Sequence, residues 1–253
     1  MIQALNIHKT FHNQPVLNNV SVDFHPGATN LIIGKSGSGK TVLMKILVGL
    51  ITPDSGKISF NDRDFLSMNT KQKKTLRQEI GMLFQGGALF DSMSVQDNIM
   101  FPLSLFSSMS YHEKLDRVNF CLKRVNLEKA NHLMPSELSG GMTKRVAIAR
   151  AIAPNPKYLF CDEPNSGLDP KTSGIIDNLI KEITKEYHIT TIINTHDMNS
   201  VLETGEYITY IHEGQVNWQG NKQTVLSEGT NELNDFMFST ALTRKIKTVP
   251  LQS

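Results

Sequence analysis

A glycine-rich run near the amino terminus has the residue types that bind the phosphates of a nucleotide. Residues 34–41 read GKSGSGKT, and they follow a short apolar segment and precede a helical pattern. Glycines let the backbone bend so that many N–H groups point at one anion, and the following helix adds the partial positive charge of its N-terminus. We predict that this run binds ATP, with Lys40 at the β- and γ-phosphates and the Thr41 hydroxyl on Mg²⁺. The predicted nucleotide-binding residues of the run are Gly34, Lys35, Ser36, Gly37, Ser38, Gly39, Lys40, Thr41 and Val42.

A pair of carboxylates ends a second apolar segment. Residues 158–161 read YLFC, and Asp162 and Glu163 follow them directly. At the tip of a strand, Asp162 is placed to hold Mg²⁺ directly or through water, while Glu163 points beyond the γ-phosphate as a base or an orienter for water. The alternative interpretation is a pair of exposed acids that close a strand and take no part in chemistry.

A third motif lies between these two, where residues 138–142 read LSGGM and open a helical pattern. Ser-Gly-Gly at the start of a helix also suits an anion, because several backbone N–H groups are unpaired there. A single chain rarely needs two anion-binding motifs, whereas two copies of the chain that face each other would use both.

Together the motifs resemble the ATP-binding-cassette (ABC) family over nearly the whole chain. Their order is that of the family, with Walker A at 34–41, Gln85 after an apolar segment, the signature at 138–141, Walker B at 158–163, a D-loop at 166–169 and His196 after a further strand. The resemblance implies that Gln85 contacts Mg²⁺ or the attacking water and senses a transmembrane partner. It also implies that His196 holds the γ-phosphate and that Phe11 stacks on adenine. Taken alone, His196 and Phe11 would be ordinary loop or core residues.

The resemblance further implies a head-to-tail homodimer of ATPase subunits that encloses two ATP molecules. Each site would combine the Walker motifs of one protomer with Ser139, Gly140 and Gly141 of the other. Met142 stands where the family usually has glutamine, which removes one polar contact across that dimer.

Short β-branched segments alternate with longer segments of helical period, which favours an α/β fold with a mainly parallel sheet. The predicted strands are 2–7, 16–24, 29–33, 57–60, 80–84, 158–161, 190–194, 207–212 and 215–219, the last two forming a hairpin. The predicted helices are 40–49, 111–125, 140–153, 170–187 and 199–204.

The family resemblance adds detail to this fold class. It implies a P-loop NTPase core with an N-terminal antiparallel β subdomain and a helical subdomain inserted at about 86–150. We predict that the ATPase domain spans 1–229 and that 230–253 forms a C-terminal extension with helical character.

Two of the helical segments show which face they bury. In 170–187, Asp169 is the predicted N-cap and Pro170 the first helical residue. The predicted apolar stripe of this helix consists of Ile175, Ile176, Leu179, Ile180 and Ile183. In the extension, the residues that suit an amphipathic helix are Leu233, Phe236, Met237, Phe238, Ala241, Leu242 and Ile246. This helix packs on its own domain, or it contacts the sister protomer or a partner.

Composition excludes several classes of protein. The chain has 253 residues, of which 39% are hydrophobic and 20% charged, and these values exclude a disordered or fibrous chain. The formal net charge of +2 is too balanced for a nucleic-acid-binding surface. Cys121 and Cys161 form no CxxC pair, which favours a reducing compartment. The sequence shows no signal peptide and no apolar stretch long enough to span a membrane.

The segment after Gln85 indicates a cargo. Residues 86–99 read GGALFDSMSVQDNI, and together with LSGGM this run resembles the ATPases of Mla-type transporters, which maintain lipid asymmetry. The resemblance implies a separate integral-membrane permease, an MCE-type lipid-binding protein and phospholipid as cargo. It places the chain peripherally on the cytoplasmic side of the inner membrane. The alternative is another ABC system, such as an amino-acid or metal importer or lipoprotein release.

Two other classes of nucleotide-binding protein fit less well. A GTPase needs an NKxD motif, but Asn221 and Lys222 are followed by Gln-Thr. A chromosome or DNA-repair ATPase of the ABC type needs a long coiled coil between Lys40 and Leu138, and that segment is too short. We therefore expect no nucleic-acid partner.

Overall fold

The computed structural model describes residues 1–238, which form two β-sheets with helices packed on them. In chain order the strands are β1 (Ile2–Phe11), β2 (Gln14–Phe24), β3 (Thr29–Ile33), β4 (Ser55–Phe60), β5 (Arg63–Asp64), β6 (Ile80–Leu83), β7 (Tyr158–Asp162), β8 (Thr190–Thr195), β9 (Tyr207–His212) and β10 (Gln215–Gly220). The helices are α1 (Lys40–Leu47), α2 (Thr70–Gln78), α3 (Val95–Phe106), α4 (Tyr111–Arg124), α5 (Gly140–Ile152), α6 (Pro170–Glu186), α7 (Met198–Thr204) and α8 (Asn231–Met237), and Pro135–Glu137 forms a 3₁₀ turn.

The larger sheet has six strands in the order β10-β9-β3-β8-β7-β6, and it is parallel except for the β9–β10 hairpin. Strands β3, β7 and β8 are buried almost throughout, as expected of parallel strands that are covered on both faces. Because parallel strands end at the same edge of a sheet, the loops that follow these three strands lie close together.

The smaller sheet, in the order β2-β1-β4-β5, is antiparallel. Its first two strands are longer than the sequence predicts, since β1 continues to Phe11 and β2 begins at Gln14. The reason is local irregularity: Asn6 and Asn19 have positive φ angles of 52° and 59°, and Asn6 Nδ2 donates to Asn19 Oδ1 at 2.8 Å. Such irregular positions interrupt the alternation of apolar and polar residues from which strand length is predicted.

The two faces of the larger sheet pack against separate apolar cores. Leu159 and Cys161 of β7 lie in one core, together with side chains of α3 to α6. Tyr158 and Phe160 lie in the other core, with α1 and the antiparallel sheet. Side chains of a strand alternate between faces, so one five-residue strand contributes to both cores. The predicted α/β class is confirmed.

The chain between β6 and β7 contains α3, α4, the 3₁₀ turn and α5, with α5 packed against α3 and α4. A helical region inserted into the sheet is thus present, as predicted, while its limits at about 86 and 150 stay a prediction. Within residues 1–238, no helix is both long and apolar enough to cross a membrane.

Helix α6 begins as predicted but does not bury its whole predicted stripe. Asp169 is the N-cap, its carboxylate accepts a hydrogen bond from Thr172 N at 3.0 Å, and Pro170 is the first helical residue. Four of the five stripe residues are buried, but Ile175 is 50% exposed, so the prediction is wrong at that residue. Successive helical residues point about 100° apart, and of the adjacent pair only Ile176 faces the core.

Helix α8 packs on its own domain. Leu233 is fully buried, and the Phe236 ring stacks on Tyr210 with 5.4 Å between the ring centroids. The Tyr210 hydroxyl donates to Glu232 O at 3.2 Å. Three further residues of the predicted amphipathic helix, Ala241, Leu242 and Ile246, lie outside the residues that the structure describes.

Both cysteines are free and buried, so they form no disulfide. The sequence likewise predicts no disulfide framework. Burial raises the pKa of the Cys121 thiol to about 11, and the same cause raises the pKa of Cys161. Neither thiol is therefore ionised at neutral pH to any useful extent.

Ile180 and Ile175 form a matched pair on α6, one fully buried and the other 50% exposed. We expect Ile180→Ala to lower the free energy of unfolding by about 2–5 kcal/mol, because it leaves a cavity in the core. Ile175→Ala should lower it by less than about 1 kcal/mol. Equilibrium denaturation measures both values. Equal losses in the free energy of unfolding would mean that Ile175 is buried, as the sequence predicts.

Candidate nucleotide-binding and catalytic site

The loop between β3 and α1 needs glycine at two positions because other chain segments lie against it. Gly34 has a φ of 152°, and a Cβ there would lie 2.3 Å from Ile211 O and 2.7 Å from Ser38 Oγ. Gly39, the N-cap of α1, has a φ of 105°, and its Cβ would lie 2.7 Å from Leu17 Cδ2. Of the other predicted loop residues, Lys35, Ser36 and Gly37 are exposed, and Val42 packs against the core that contains α1.

Two side chains of this loop suit a phosphate chain. Ser38 Oγ is buried and has no hydrogen-bond partner within residues 1–238. Lys40 is 5% exposed, and its Nζ donates to Gly34 O at 2.8 Å and to Lys35 O at 2.9 Å. Burial lowers the pKa of Lys40, and the carboxylates at the end of β7 oppose that shift. The loop thus holds a buried hydroxyl and a buried cation, both of which an anionic ligand would satisfy.

Asp162, the last residue of β7, lies beside Thr41 at the start of α1. Thr41 Oγ1 donates to Asp162 Oδ1 at 3.4 Å, and Asn194 Nδ2 donates to the same oxygen at 3.1 Å. A hydroxyl and a carboxylate oxygen are hard ligands of the kind that Mg²⁺ takes. Gln85, the third predicted metal ligand, is hydrogen-bonded to Glu163 instead. Within the described chain, no three His, Cys, Asp or Glu side chains are grouped so as to hold a metal ion.

Glu163 follows Asp162 but has different partners, because the backbone turns sharply between them. Its φ is 46°, in the left-handed region, and its N–H donates to Asn194 O at 3.0 Å. Glu163 Oε2 accepts from Gln85 Nε2 at 3.2 Å, and Oε1 lies 3.1 Å from His196 Nδ1. The structure therefore brings the three predicted catalytic residues together, on the loops that follow β6, β7 and β8.

A buried polar network connects Asn165, which directly precedes the D-loop, to helices α6 and α7. Ser200 Oγ donates to Asp177 Oδ2 at 2.7 Å, and Asn165 Nδ2 donates to Ser200 Oγ at 3.0 Å. Asp177 is 2% exposed, and burial raises the pKa of its carboxyl, although the hydrogen bond from Ser200 acts in the opposite direction. Sequence reasoning did not find this network, because its members are far apart in the chain.

The predicted signature residues lie at the N-terminus of α5. Ser139 is the N-cap, and its Oγ accepts from Met142 N at 3.3 Å. With Gly140 and Gly141, it lines an open cleft of about 550 Å³ that also includes Asp169. None of the hydrogen bonds found in residues 1–238 connects these residues to the 34–41 loop. One chain alone thus does not unite the two predicted anion-binding motifs.

Phe11, predicted to stack on adenine, ends β1 and is 39% exposed. Lys9 Nζ lies 5.3 Å from its ring centroid. The β1–β2 hairpin reaches the phosphate loop through Val16 and Leu17, whose atoms crowd Gly39. An exposed aromatic ring therefore belongs to the same hairpin that contacts the loop, and its stacking role stays a prediction.

Two polar residues of the site carry no recognisable motif. Asn194 lies opposite Asp162 in the β7–β8 register, and its only signal was a polar residue at the end of an apolar strand. Lys144 is buried in α5, where its Nζ donates to Gln85 O and lies 3.4 Å from Ser166 Oγ. Nothing in the local pattern distinguishes this lysine from a solvated helical one.

Comparisons of sequence identify the proteins to which this chain is similar. The family profile described as ABC transporter matches residues 17–166. The methionine import ATP-binding protein MetN 2 of Bacillus cereus is 39% identical over 232 residues, which cover 90% of this chain and 68% of that protein. The intermembrane phospholipid transport system ATP-binding protein MlaF of Haemophilus influenzae is 35% identical over 232 residues, covering 92% of this chain and 84% of that protein.

Solved structures of ATP-binding cassettes are similar as well. The cassette MJ0796, a dimer in a post-hydrolysis state bound to ADP and Pi, has a TM-score of 0.79 and 32% identity, covering 88% of this chain and 99% of that one. The cbiO1 protein of Clostridium perfringens, part of the ABC transporter complex cbiONQ, has a TM-score of 0.84 and 29% identity, covering 97% of this chain and 98% of that one.

The phosphate loop at the end of β3 and the carboxylates at the end of β7 are the arrangement of a P-loop nucleotide-binding protein. The chain belongs to the ABC transporter family, whose profile covers more than half of it. Within that family it is the ATPase subunit, an ATP hydrolase.

Asp177→Asn should flatten the pH dependence of stability. Because burial raises the pKa of this carboxyl, the folded chain binds more protons than the unfolded chain at pH values between the unfolded pKa of about 3.9 and the raised pKa. The free energy of unfolding therefore falls as the pH rises from that value through the raised pKa, and a neutral amide removes this fall. Thermal unfolding between pH 4 and pH 8 measures the effect.

The matched control for this prediction is Asp116→Asn on the exposed face of α4, which should keep the parent's pH profile. If Asp177→Asn kept that profile too, burial would not be acting on this carboxyl.

Proposed function

We propose that two copies of this chain hydrolyse ATP to drive a separate integral-membrane permease, from the cytoplasmic side of the membrane. The observation that carries this proposal is the carboxylate of Glu163, which lies between Gln85 and His196 at the sheet edge where the phosphate loop begins. Such an arrangement orients one water molecule against a bound γ-phosphate.

ATP would bind with its phosphates in the 34–41 loop and its adenine on Phe11. Lys40 would exchange its loop carbonyls for the β- and γ-phosphates, and the Ser38 hydroxyl would gain the partner that it lacks. Thr41 and Asp162 would hold Mg²⁺, with Gln85 as a further ligand. The metal ion supplies charge neutralisation on the phosphate oxygens.

Hydrolysis would be an in-line displacement at the γ-phosphorus. Glu163 accepts a proton from water while the water oxygen forms the new bond to phosphorus, and the bond to the β–γ bridging oxygen breaks with that oxygen leaving on ADP. Gln85 orients the water, and His196 donates a hydrogen bond to the γ-phosphate. The water then has its base and its target on opposite sides.

The dimer would complete each site. Ser139, Gly140 and Gly141 line a cleft of about 550 Å³ that is not joined to the phosphate loop of the same chain. A head-to-tail partner would bring its γ-phosphate to these residues, where the N-terminus of α5 favours an anion. The dimeric cassette bound to ADP and Pi, which this chain resembles, supports the arrangement.

The permease would dock in a groove of about 170 Å³ between the sheet and the helical region. Phe84, Phe90, Phe106 and Arg150 are among its lining residues. Phe84 lines the groove and directly precedes Gln85 in the chain. A permease helix that contacts Phe84 would therefore lie next to a predicted catalytic residue. This placement would couple ATP hydrolysis to movement of the permease.

We infer phospholipid as the cargo, with an MCE-type lipid-binding protein as a further partner. The support is the resemblance of residues 86–99 to Mla-type ATPases and the similarity to MlaF of Haemophilus influenzae. Part of this run is scaffold, since Asn98 is fully buried and its amide donates to Phe90 O, Met93 O and Ser94 O. The argument for a lipid partner therefore rests on exposed positions such as Gly86 and Phe90.

Methionine is the second candidate cargo. It is favoured by the 39% identity to the methionine import protein of Bacillus cereus, which exceeds the 35% identity to MlaF. The two candidates differ in the partner proteins that each requires, and this difference can be tested directly.

The role of Glu163 is tested by Glu163→Gln, which keeps the shape of the side chain but removes its basicity. We expect ATP to bind normally and hydrolysis to slow by at least about 100-fold, leaving the closed dimer trapped with ATP. Lys40→Ala is the matched comparison, because it should lose ATP binding itself. Nucleotide binding, phosphate release and dimer content measure these effects, and brisk turnover by Glu163→Gln would refute its role as the base.

The cargo is tested by affinity purification of the chain with its partners from native membranes, followed by lipid analysis and ATPase assays. We expect an MCE-type protein and bound phospholipid to co-purify, and ATP hydrolysis to be unaffected by methionine. Co-purification of a methionine-binding protein, with hydrolysis stimulated by methionine, would overturn the lipid assignment in favour of the second candidate.

A further inference from the structure

Lys144 is a buried cation next to the catalytic loops. It is the fifth residue of α5, is 5% exposed, and forms no salt bridge within residues 1–238. Withdrawing an ammonium group from water costs free energy that its partners must offset, so lysine is rarely buried without a carboxylate. The position of this side chain therefore calls for an explanation in terms of what it contacts.

The contacts of Lys144 are with the loops on either side of Glu163. Its Nζ donates to Gln85 O and lies 3.4 Å from Ser166 Oγ, and Ser166 Oγ donates to Gln85 O at 3.4 Å. Ser166 N donates to Glu163 O at 3.1 Å, and Gln85 Nε2 donates to Glu163 Oε2 at 3.2 Å. These hydrogen bonds form a closed ring through the four residues.

The charges of Lys144 and Glu163 also interact. Burial lowers the pKa of Lys144, while the negative charge of Glu163 acts to raise it.

We propose that Lys144 is a positioning residue for ATP hydrolysis, which holds the Gln85 backbone and the Ser166 hydroxyl and through them fixes the Glu163 carboxylate. The role is one of positioning because Lys144 Nζ contacts the Gln85 carbonyl and the Ser166 hydroxyl. The inference rests on the proposed roles of Gln85 and Glu163. It adds to them the side chain that holds their two loops in position relative to each other.

Helix α5 gives this contact a second consequence. The helix begins at the signature residues, and at 1.5 Å of rise per residue Lys144 lies only about 7.5 Å along the axis from Ser139. If this helix moves as a rigid unit, a nucleotide of the partner subunit that shifted the signature residues would also shift Lys144. One side chain thus links the signature end of a protomer to that protomer's own catalytic loops.

Lys144→Met tests the proposal, because methionine has a similar length and no charge or donor. In the complete transporter purified from membranes, we expect kcat to fall about 10- to 100-fold while KM for ATP stays within about 2-fold. Lys123→Met, at an exposed position on α4, should change neither value. The amount of ATP bound per protomer is measured in parallel, since a misfolded variant would lose binding together with kcat.

Two further variants at the same position separate a specific role from a packing effect. Lys144→Arg keeps the charge and several donors, and it should recover kcat to within about 5-fold of the parent. Lys144→Gln keeps a donor without the charge and should fall between Met and Arg. The proposal is overturned if Lys144→Met keeps the parent's kcat, or if neither Arg nor Gln exceeds Met.

A double variant tests whether Lys144 acts through Gln85. In a Gln85→Ala background, Lys144→Met should lower kcat by a smaller factor than in the parent, because the Gln85 side chain is already gone and only the route through Ser166 is left to lose. A full loss in that background overturns the part of the proposal that runs through Gln85. Glu163→Gln is assayed alongside: if that variant is fast, the proposed base is wrong, whereas a slow Glu163→Gln with an unimpaired Lys144→Met overturns only the inference about Lys144.

Discussion

The left-handed turn at Glu163 is the constraint on which the rest of the site depends. Asp162 still belongs to β7 and lies opposite Asn194, but one residue later the chain has turned so that Glu163 contacts Gln85 and His196. In a continued strand the two acids would point to opposite faces of the sheet, and one would enter an apolar core. The left-handed conformation costs a non-glycine residue about 1 kcal/mol, and the hydrogen bond from Glu163 N to Asn194 O offsets part of that cost.

Features that depend on neighbouring residues could be predicted from the sequence, and features that depend on packing could not. The 34–41 loop and the Asp169 cap are each set by a few adjacent residues, and the cap is confirmed. Ile175 was predicted to belong to the apolar stripe of α6, and only packing decides which of two neighbouring isoleucines faces the core. Lys144 and Asn194 gave no motif because their partners come from other loops and strands.

Catalysis and cargo are encoded in different ways. The groups proposed to act on the γ-phosphate follow from the fold, since the ends of parallel strands deliver them to one edge of the sheet. In the proposed function the cargo is carried by partner proteins, so only surfaces that meet those proteins would carry information about it. Residues 86–99, on which the proposed lipid assignment rests, include scaffold such as the buried amide of Asn98. Relatives with two different cargo names can therefore match the same segment.

The two buried cysteines have a practical consequence for following this molecule in motion. With a thiol pKa of about 11, only about one Cys121 side chain in ten thousand is a thiolate at neutral pH, and Cys161 is fully enclosed. Maleimide probes would leave both native thiols unmodified while the fold is intact. One cysteine introduced on the surface would then be the sole labelling position, so fluorescence or spin-label distances between protomers could be recorded without altering the native cysteines.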